Sequence, residues 1–164
     1  MSVEIRAATD DDVETVVDVA EASWYAAYGG FLSPETIARG LETSYDPDLV
    51  AAGIAHDDIA FFVAEADGDV VGFASAEQTW ADEVELHTLY VHPDWWGEGA
   101  GQALLDRVRE WADGVGVDRI ACAVLAENEV AVGFFEAAGF VRGREASGEI
   151  GGERHPEYEF ELPL

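Results

Sequence analysis

Residues 85–105, ELHTLYVHPDWWGEGAGQALL, decide how the rest of the chain is read. The segment reads as a strand, a glycine-rich turn and the opening of a helix. Glu85, His87, Leu89 and Val91 alternate with Leu86, Thr88, Tyr90 and His92, so each set is expected to line one strand face. Pro93 has no N–H to give a ladder, so the strand stops there or runs at an edge. Gly97, Gly99 and Gly101 then fall at every second residue, where apolar helical spacing begins. Such a turn leaves backbone N–H groups bare at a helix N-terminus, which favours an anion, typically a phosphate. One short segment thus offers a phosphate seat with two titratable side chains, Glu85 and His87, close by.

Two familiar phosphate patterns fail here. A dinucleotide GxGxxG needs a third glycine where Gln102 stands, and a P-loop needs a lysine, which this chain lacks altogether. A tight turn with packing glycines accounts for the glycines equally well, so the decision falls to the flanking sequence.

Downstream, the helix expected from Gly99 carries Leu104, Val108, Trp111 and Val115 on one face, with Leu105 and Ala112 widening it, and closes at Gly114 and Gly116. Arg119 to Leu125 is a continuous apolar strand, as expected beside a parallel neighbour. Asn128 caps a further helix to about Ala138, Gly139-Phe140 turns into a strand, and Tyr158 to Leu162 is the last one. Upstream, Ile59 to Ala66 and Val70 to Gln78 form a hairpin across Asp67-Gly68, and a turn near Ala81-Asp82 joins it to the Glu85 strand. Before these lie a strand at Val3 to Ala7 and a helix opened by Thr9 and three aspartates, which ends at Gly29-Gly30. A second helix opens at Ser33-Pro34 and ends near Gly40, and a short one is expected from Asp46-Pro47 through Ala52. The order β-α-α-β-β-β-α-β-α-β-β implies one α/β domain over residues 1–164, a mixed sheet of six to seven strands with helices on both faces.

That order, with strand, Val-x-Pro, GxGxG and Gln-Ala-Leu-Leu in its middle, resembles the GNAT N-acetyltransferases. A second segment, Asn128 to Phe140 (NEVAVGFFEAAGF), resembles the family's Asn…Ala…(Phe)-Tyr-Glu-x-x-Gly-Phe motif, so the likeness spans nearly the whole chain. The resemblance implies an acetyl-CoA-dependent N-acetyltransferase that transfers by direct attack in a ternary complex, without a metal. It implies that the turn Trp96, Gly97, Glu98, Gly99, Ala100 and Gly101 holds the pyrophosphate, and that the backbone of Leu89, Tyr90 and Val91 holds the pantetheine and the acetyl carbonyl. Asn128 would touch the pantetheine arm and Phe135 the thioester end. Three positions depart from the family. Trp96 stands where Gln or Arg opens the turn, Glu98 replaces a common basic residue, and Phe135 replaces the Tyr that protonates the departing thiolate.

Amide formation needs a neutral amine, so a base must take its proton. Glu85 and His87 are the candidates, Glu85 ranked first and His87 close behind, with a shared proton network as a further option. Histidine titrates near neutrality, whereas a carboxylate needs partial burial to do so. The resemblance, in which the first two helices cover the acceptor side, implies that Trp24, Tyr25, Tyr28 and Trp80 border the acceptor pocket. Cys122 is expected in a buried strand and in no catalytic role, and the four histidines lack metal-ligand spacing.

Charge sets the partners. The 164 residues carry 35 Asp plus Glu against 8 Lys plus Arg, a net charge of −27, yet 49% are apolar, so the chain is no disordered acidic tail. Nucleic acid and anionic membrane are disfavoured, and a small-molecule or peptide amine is favoured as acceptor. Such self-repulsion calls for screening, and at molar salt the Debye length falls to ~3 Å, so a salt-rich cytoplasm is expected. No secretory signal and no 18-residue apolar stretch is seen, and the single cysteine suits a reducing compartment. A homodimer is left open. A non-catalytic acyl-CoA-binding or regulatory module of the same fold is the alternative reading, prompted by Phe135 and Trp96.

Overall fold

The computed structural model describes residues 3–164, so Met1 and Ser2 lie outside it. The strands are β1 (Val3–Ala7), β2 (Ile59–Ala66), β3 (Asp69–Trp80), β4 (Glu83–Val91), β5 (Arg119–Leu125), β6 (Val141–Ile150) and β7 (Glu153–Pro163). The helices are α1 (Val13–Tyr28), α2 (Pro34–Ser44), α3 (Pro47–Ala55), α4 (Ala100–Val115) and α5 (Glu129–Ala137). The strands form one sheet in the order β1-β2-β3-β4-β5-β7-β6. Only the β4–β5 pair is parallel.

Local signals place most boundaries. The Ser33 hydroxyl accepts from the Thr36 N–H and the Asp46 carboxylate from the Asp48 N–H, each just before a proline that suits the first helical turn. Asp67 and Gly68 both adopt positive φ, the requirement of a two-residue hairpin between β2 and β3. The Asp12 carboxylate accepts from the Thr9 N–H at 2.7 Å and also takes both arms of the Arg6 guanidinium at 2.8 Å.

Two apolar cores lie on opposite faces of the sheet. Against α4 and α5 pack Phe62, Ala74, Val84, Leu86 and Phe160 with Leu104, Leu105 and Val108. Against α1–α3 pack Val63 and Phe73 with Val16, Trp24, Tyr28, Ile37 and Tyr45. The buried stripe of α4 runs Ala100, Leu104, Leu105, Val108 and Ala112, so the stripe is centred on residues expected only to widen it, and Val115 is exposed. Other expectations also shift. Helix α2 runs past Gly40 to Ser44; that glycine is there for contact, since a Cβ would lie 2.7 Å from the Trp24 ring. The short helix expected at Asp46-Pro47 is α3; it runs on to Ala55 and adds a third helix, absent from the expected element order, between β1 and β2. The last strand is longer than expected and forms a hairpin with β6, which puts β7 between β5 and β6. Antiparallel β7 is therefore the longer-paired neighbour of β5, and burial along β5 alternates instead of running continuously.

The largest correction lies in β4. Ser75 pairs with Thr88 but Ala76 pairs with Leu86, so His87 is an extra residue, a β-bulge. One extra residue reverses the alternation beyond it. Val84 and Leu86 before the bulge, and Leu89 and Val91 after it, all face α4, while Tyr90 faces α1. Glu85 therefore does not share a face with Leu89 and Val91, as strict alternation had implied. The bulge also ends the pairing with β5, which covers only Glu83↔Arg119, Val84↔Ile120 and Glu85↔Ala121. Beyond Glu85 the two strands diverge and the sheet is open between them.

Candidate active site

Two clefts meet in that opening. One, of about 450 Å³, lies on the α1–α3 face; the other, of about 320 Å³, lies on the α4–α5 face. Leu89, Tyr90, Asn128, Ala131 and Phe135 line both, so a molecule seated in one reaches the other through the gap between β4 and β5.

The α4-side cleft ends at the glycine turn. Gly97 has φ 79° and Gly99 φ 90°. A Cβ at either position would meet no atom within 4 Å, so the backbone conformation, not crowding, requires glycine there. Gly101 instead admits close approach, since a Cβ would lie 3.3 Å from the Phe134 ring of α5. The first helical bond in this segment is Ala103 N–H to Gly99 O at 3.0 Å. Among the described residues, the N–H groups of Gly97, Gly99, Ala100, Gly101 and Gln102 find no acceptor in the protein. Bare amides at the positive end of a 16-residue helix form an anion seat. Glu98 adds an exposed acid beside it, and its own N–H bonds Trp95 O at 3.4 Å. Trp96 is a strut in this turn: its indole N–H donates to Val91 O at 2.8 Å, and the Ser23 hydroxyl reaches the same oxygen at 2.9 Å. The Val91 carbonyl is thereby engaged, while Trp96 keeps its ring on the cleft wall.

The other cleft is aromatic and acidic. Trp24 meets Tyr28 edge-on at 5.3 Å and Tyr45 at 5.5 Å, and the Tyr28 and Tyr90 hydroxyls lie 3.3 Å apart. Burial pushes all three phenols above the usual tyrosine range, so they stay protonated at neutral pH. The Trp24 indole N–H is buried without a partner among the described residues. Glu149 and Glu157 line the same cleft, and no arginine does. Burial raises the Glu157 carboxyl above the usual range, and neighbouring Glu159 adds to this. A Cβ at Gly148 would collide with that carboxylate, so the glycine is what lets Glu157 lie there.

His87 lines this cleft and Glu85 does not. The His87 Nε2 is 3.2 Å from Glu77 Oε1 and its Nδ1 is 3.9 Å from Glu85 Oε1. The ring is thus flanked by two carboxylates about one-third to one-half exposed. Glu77, Tyr45, Glu149 and Glu157 carry no motif in the sequence; pairing across β3–β4 brings in Glu77, the end of α2 brings in Tyr45, and the closure of β6–β7 brings in the other two.

At the junction, Asn128 is buried and its Oδ1 accepts from the Ala131 N–H at 3.2 Å, capping α5. Phe135 is buried with its ring 5.1 Å from that of Phe140. Burial pushes the Cys122 thiol up to about 12, with Glu85 adding to the shift, so no thiolate forms at neutral pH. Tyr25, exposed on α1, lines neither cleft, whereas Trp24 and Tyr28 line the aromatic one. Trp80 does not: it lies at the far end of β3, 68% exposed and outside both clefts. Among the described residues no cluster of three or more His, Cys, Asp or Glu is placed to hold a metal ion.

Comparison with known proteins agrees with this geometry. A family profile described as "Acetyltransferase (GNAT) family" matches residues 22–140. A spermidine N(1)-acetyltransferase of Thermoplasma acidophilum is 30% identical over 144 residues, 85% of this chain and 89% of that one. The crystal structure of the PaiA N-acetyltransferase of Thermoplasma acidophilum, in complex with coenzyme A, superposes with a TM-score of 0.90 at 26% identity, covering all of both chains. A GCN5-related N-acetyltransferase from Rhodopseudomonas palustris shares the fold, with a TM-score of 0.85 at 23% identity, over 100% of this chain and 97% of that one. With a profile spanning most of its length, and a gapped sheet that opens beside a bare-amide turn, the chain belongs to the GNAT acetyltransferase family.

Proposed function

We propose that this acetyltransferase passes the acetyl group of acetyl-CoA to a primary amine of a linear polycation, a polyamine such as spermidine. The reading rests on one observation above the rest: the two clefts meet where β4 and β5 part. Acetyl-CoA enters from the α4 side, with its pyrophosphate on the free amides of Gly97 to Gln102 and its arm along Leu89 to Val91. Phosphate binding then depends on main-chain dipoles alone, because neither Trp96 nor Glu98 brings a cation to the turn. The amine enters from the α1 side. Glu149 and Glu157 hold its distal cation, and the rings of Trp24 and Tyr45 stabilise ammonium groups by cation–π contact. His87 takes the proton from the attacking amine, with Glu77 and Glu85 orienting the ring and stabilising its charged form. A backbone N–H near Leu89 meets the developing oxyanion.

The test is thiol release from acetyl-CoA at high salt against spermidine, a simple monoamine and a peptide with a free N-terminus. Spermidine is expected to give the highest kcat/KM. A preference for the peptide, or equal rates with the monoamine, would contradict the polycation assignment. Thermal stabilisation by acetyl-CoA without thiol release from any amine would instead favour the non-catalytic module.

A further inference from the structure

The site described so far has no group to meet the negative charge that grows on sulfur as the thiolate departs. Phe135 stands at the junction with a bare ring, packed against Phe134 and Phe140. The opposite wall carries phenol hydroxyls. Tyr90 lines both clefts, and its hydroxyl is 3.3 Å from that of Tyr28. Tyr28 is the last residue of α1, 5% exposed, and its ring is held edge-on by Trp24 at 5.3 Å and Phe31 at 5.8 Å. Asn128 lines both clefts as well. The Tyr28 hydroxyl thus meets a tyrosine that spans the opening, with Tyr45 behind, its ring 6.2 Å from that of Tyr90.

We propose that Tyr28 supplies the proton that Phe135 cannot, donating from its hydroxyl to the coenzyme A sulfur across the gap between β4 and β5. This rests on the acetyl-transfer reading above. When the tetrahedral adduct collapses, the C–S bond breaks and its electron pair goes to sulfur. The Tyr28 O–H bond supplies the proton, and the resulting phenolate is reprotonated through the Tyr90 hydroxyl, ultimately by solvent. The proton removed from the amine leaves separately through His87, so one proton is lost from nitrogen and one is gained by sulfur. Burial holds the Tyr28 proton firmly, whereas a thiol ionises near ~8.5, so complete transfer is uphill unless coupled to reprotonation. The neighbouring hydroxyl answers that requirement.

Tyr28→Phe removes one oxygen and keeps the ring. We expect kcat to fall on the order of 10–100-fold with the KM for acetyl-CoA unchanged, toward the low end of what a general acid contributes because thiolate is a good leaving group. Phe135→Tyr placed in the Tyr28→Phe background is expected to recover most of the loss. Tyr90→Phe, which cuts the reprotonation route, should lower kcat by a smaller factor and provides a second variant. If the unmutated protein turns over and Tyr28→Phe matches it, the inference is wrong and the acetyl-transfer reading stands. If Phe135→Tyr accelerates both backgrounds equally, Tyr28 is not the donor. An unmutated protein that releases no thiol overturns both.

Discussion

At the scale of single residues, the base is the first question. His87 is the extra residue of a bulge and lines the aromatic cleft, its ring between Glu77 and Glu85. His87→Ala is therefore expected to lower kcat by about 10²-fold or more, with Glu85→Gln costing less than about tenfold. The reverse order would make Glu85 the base. Strict alternation along β4 puts Glu85 and His87 on one face with Leu89 and Val91; the structure does not, because period-two alternation assumes no insertion, and nothing in ELHTLY marks one. A second prediction concerns stability. Arg6 holds the Asp12 carboxyl below the usual range through two charged hydrogen bonds. A lowered native pKa contributes stability that is complete above the unfolded value, near ~3.9, and is lost as pH falls through the native one. Denaturation of Arg6→Met beside the unmutated chain should thus show a stability gap at about pH 6 that narrows by about pH 3. A gap that stays constant would mean the pair contributes through packing alone.

Elements obey backbone rules that single side chains do not. The turn before α4 needs two glycines with positive φ, and its amides are free because the chain leaves helical geometry there. Gly99→Ala forces an L-residue into that region at a cost of ~1–2 kcal/mol, and should raise the KM for acetyl-CoA as the amides turn away. Gly114 lies inside α4 with open space at its Cβ, so Gly114→Ala should stabilise by ~0.5–1 kcal/mol and leave KM alone. Calorimetry and initial rates on the two variants separate the roles; equal effects would show that the turn has no special geometry. The same elements explain what could be read beforehand. Caps at Ser33, Asp46 and Asn128, the Asp67-Gly68 turn and the glycines of the β4–α4 turn are local, so sequence reports them directly. The parting of β4 from β5, the insertion of β7 beside β5 and the arrival of Glu149 and Glu157 in the cleft depend on long-range pairing, which leaves no local trace. Trp80 was misplaced for the same reason, since only the register of β3 on β4 fixes where its end lies.

Across the whole molecule, electrostatics dominate. Of the 8 arginines that stand against 35 acids, Arg6, Arg119, Arg142 and Arg144 are engaged in ion pairs, and Arg107 lies over the Phe62 ring. Few cations are left to offset the surplus, and added salt is expected to raise the melting temperature steadily as the Debye length shrinks from ~10 Å at 0.1 M to ~3 Å at 1 M. A melting temperature indifferent to salt would remove the case for a salt-rich setting. The same field opposes polyanionic acetyl-CoA and attracts a polycation. Screening should therefore tighten the first and weaken the second, and titrations of the two ligands over one salt series would diverge. Acetyl-CoA affinity that falls steadily with salt would contradict this balance.

The most direct measurement is a crystal structure with coenzyme A bound at high salt. The pyrophosphate is expected within hydrogen-bond reach of the Gly97, Gly99, Ala100, Gly101 and Gln102 amides, with the sulfur in the gap between Leu89 and Phe135, facing Tyr28. Coenzyme A bound elsewhere, or a sulfur that stops short of the opening between β4 and β5, would contradict the account.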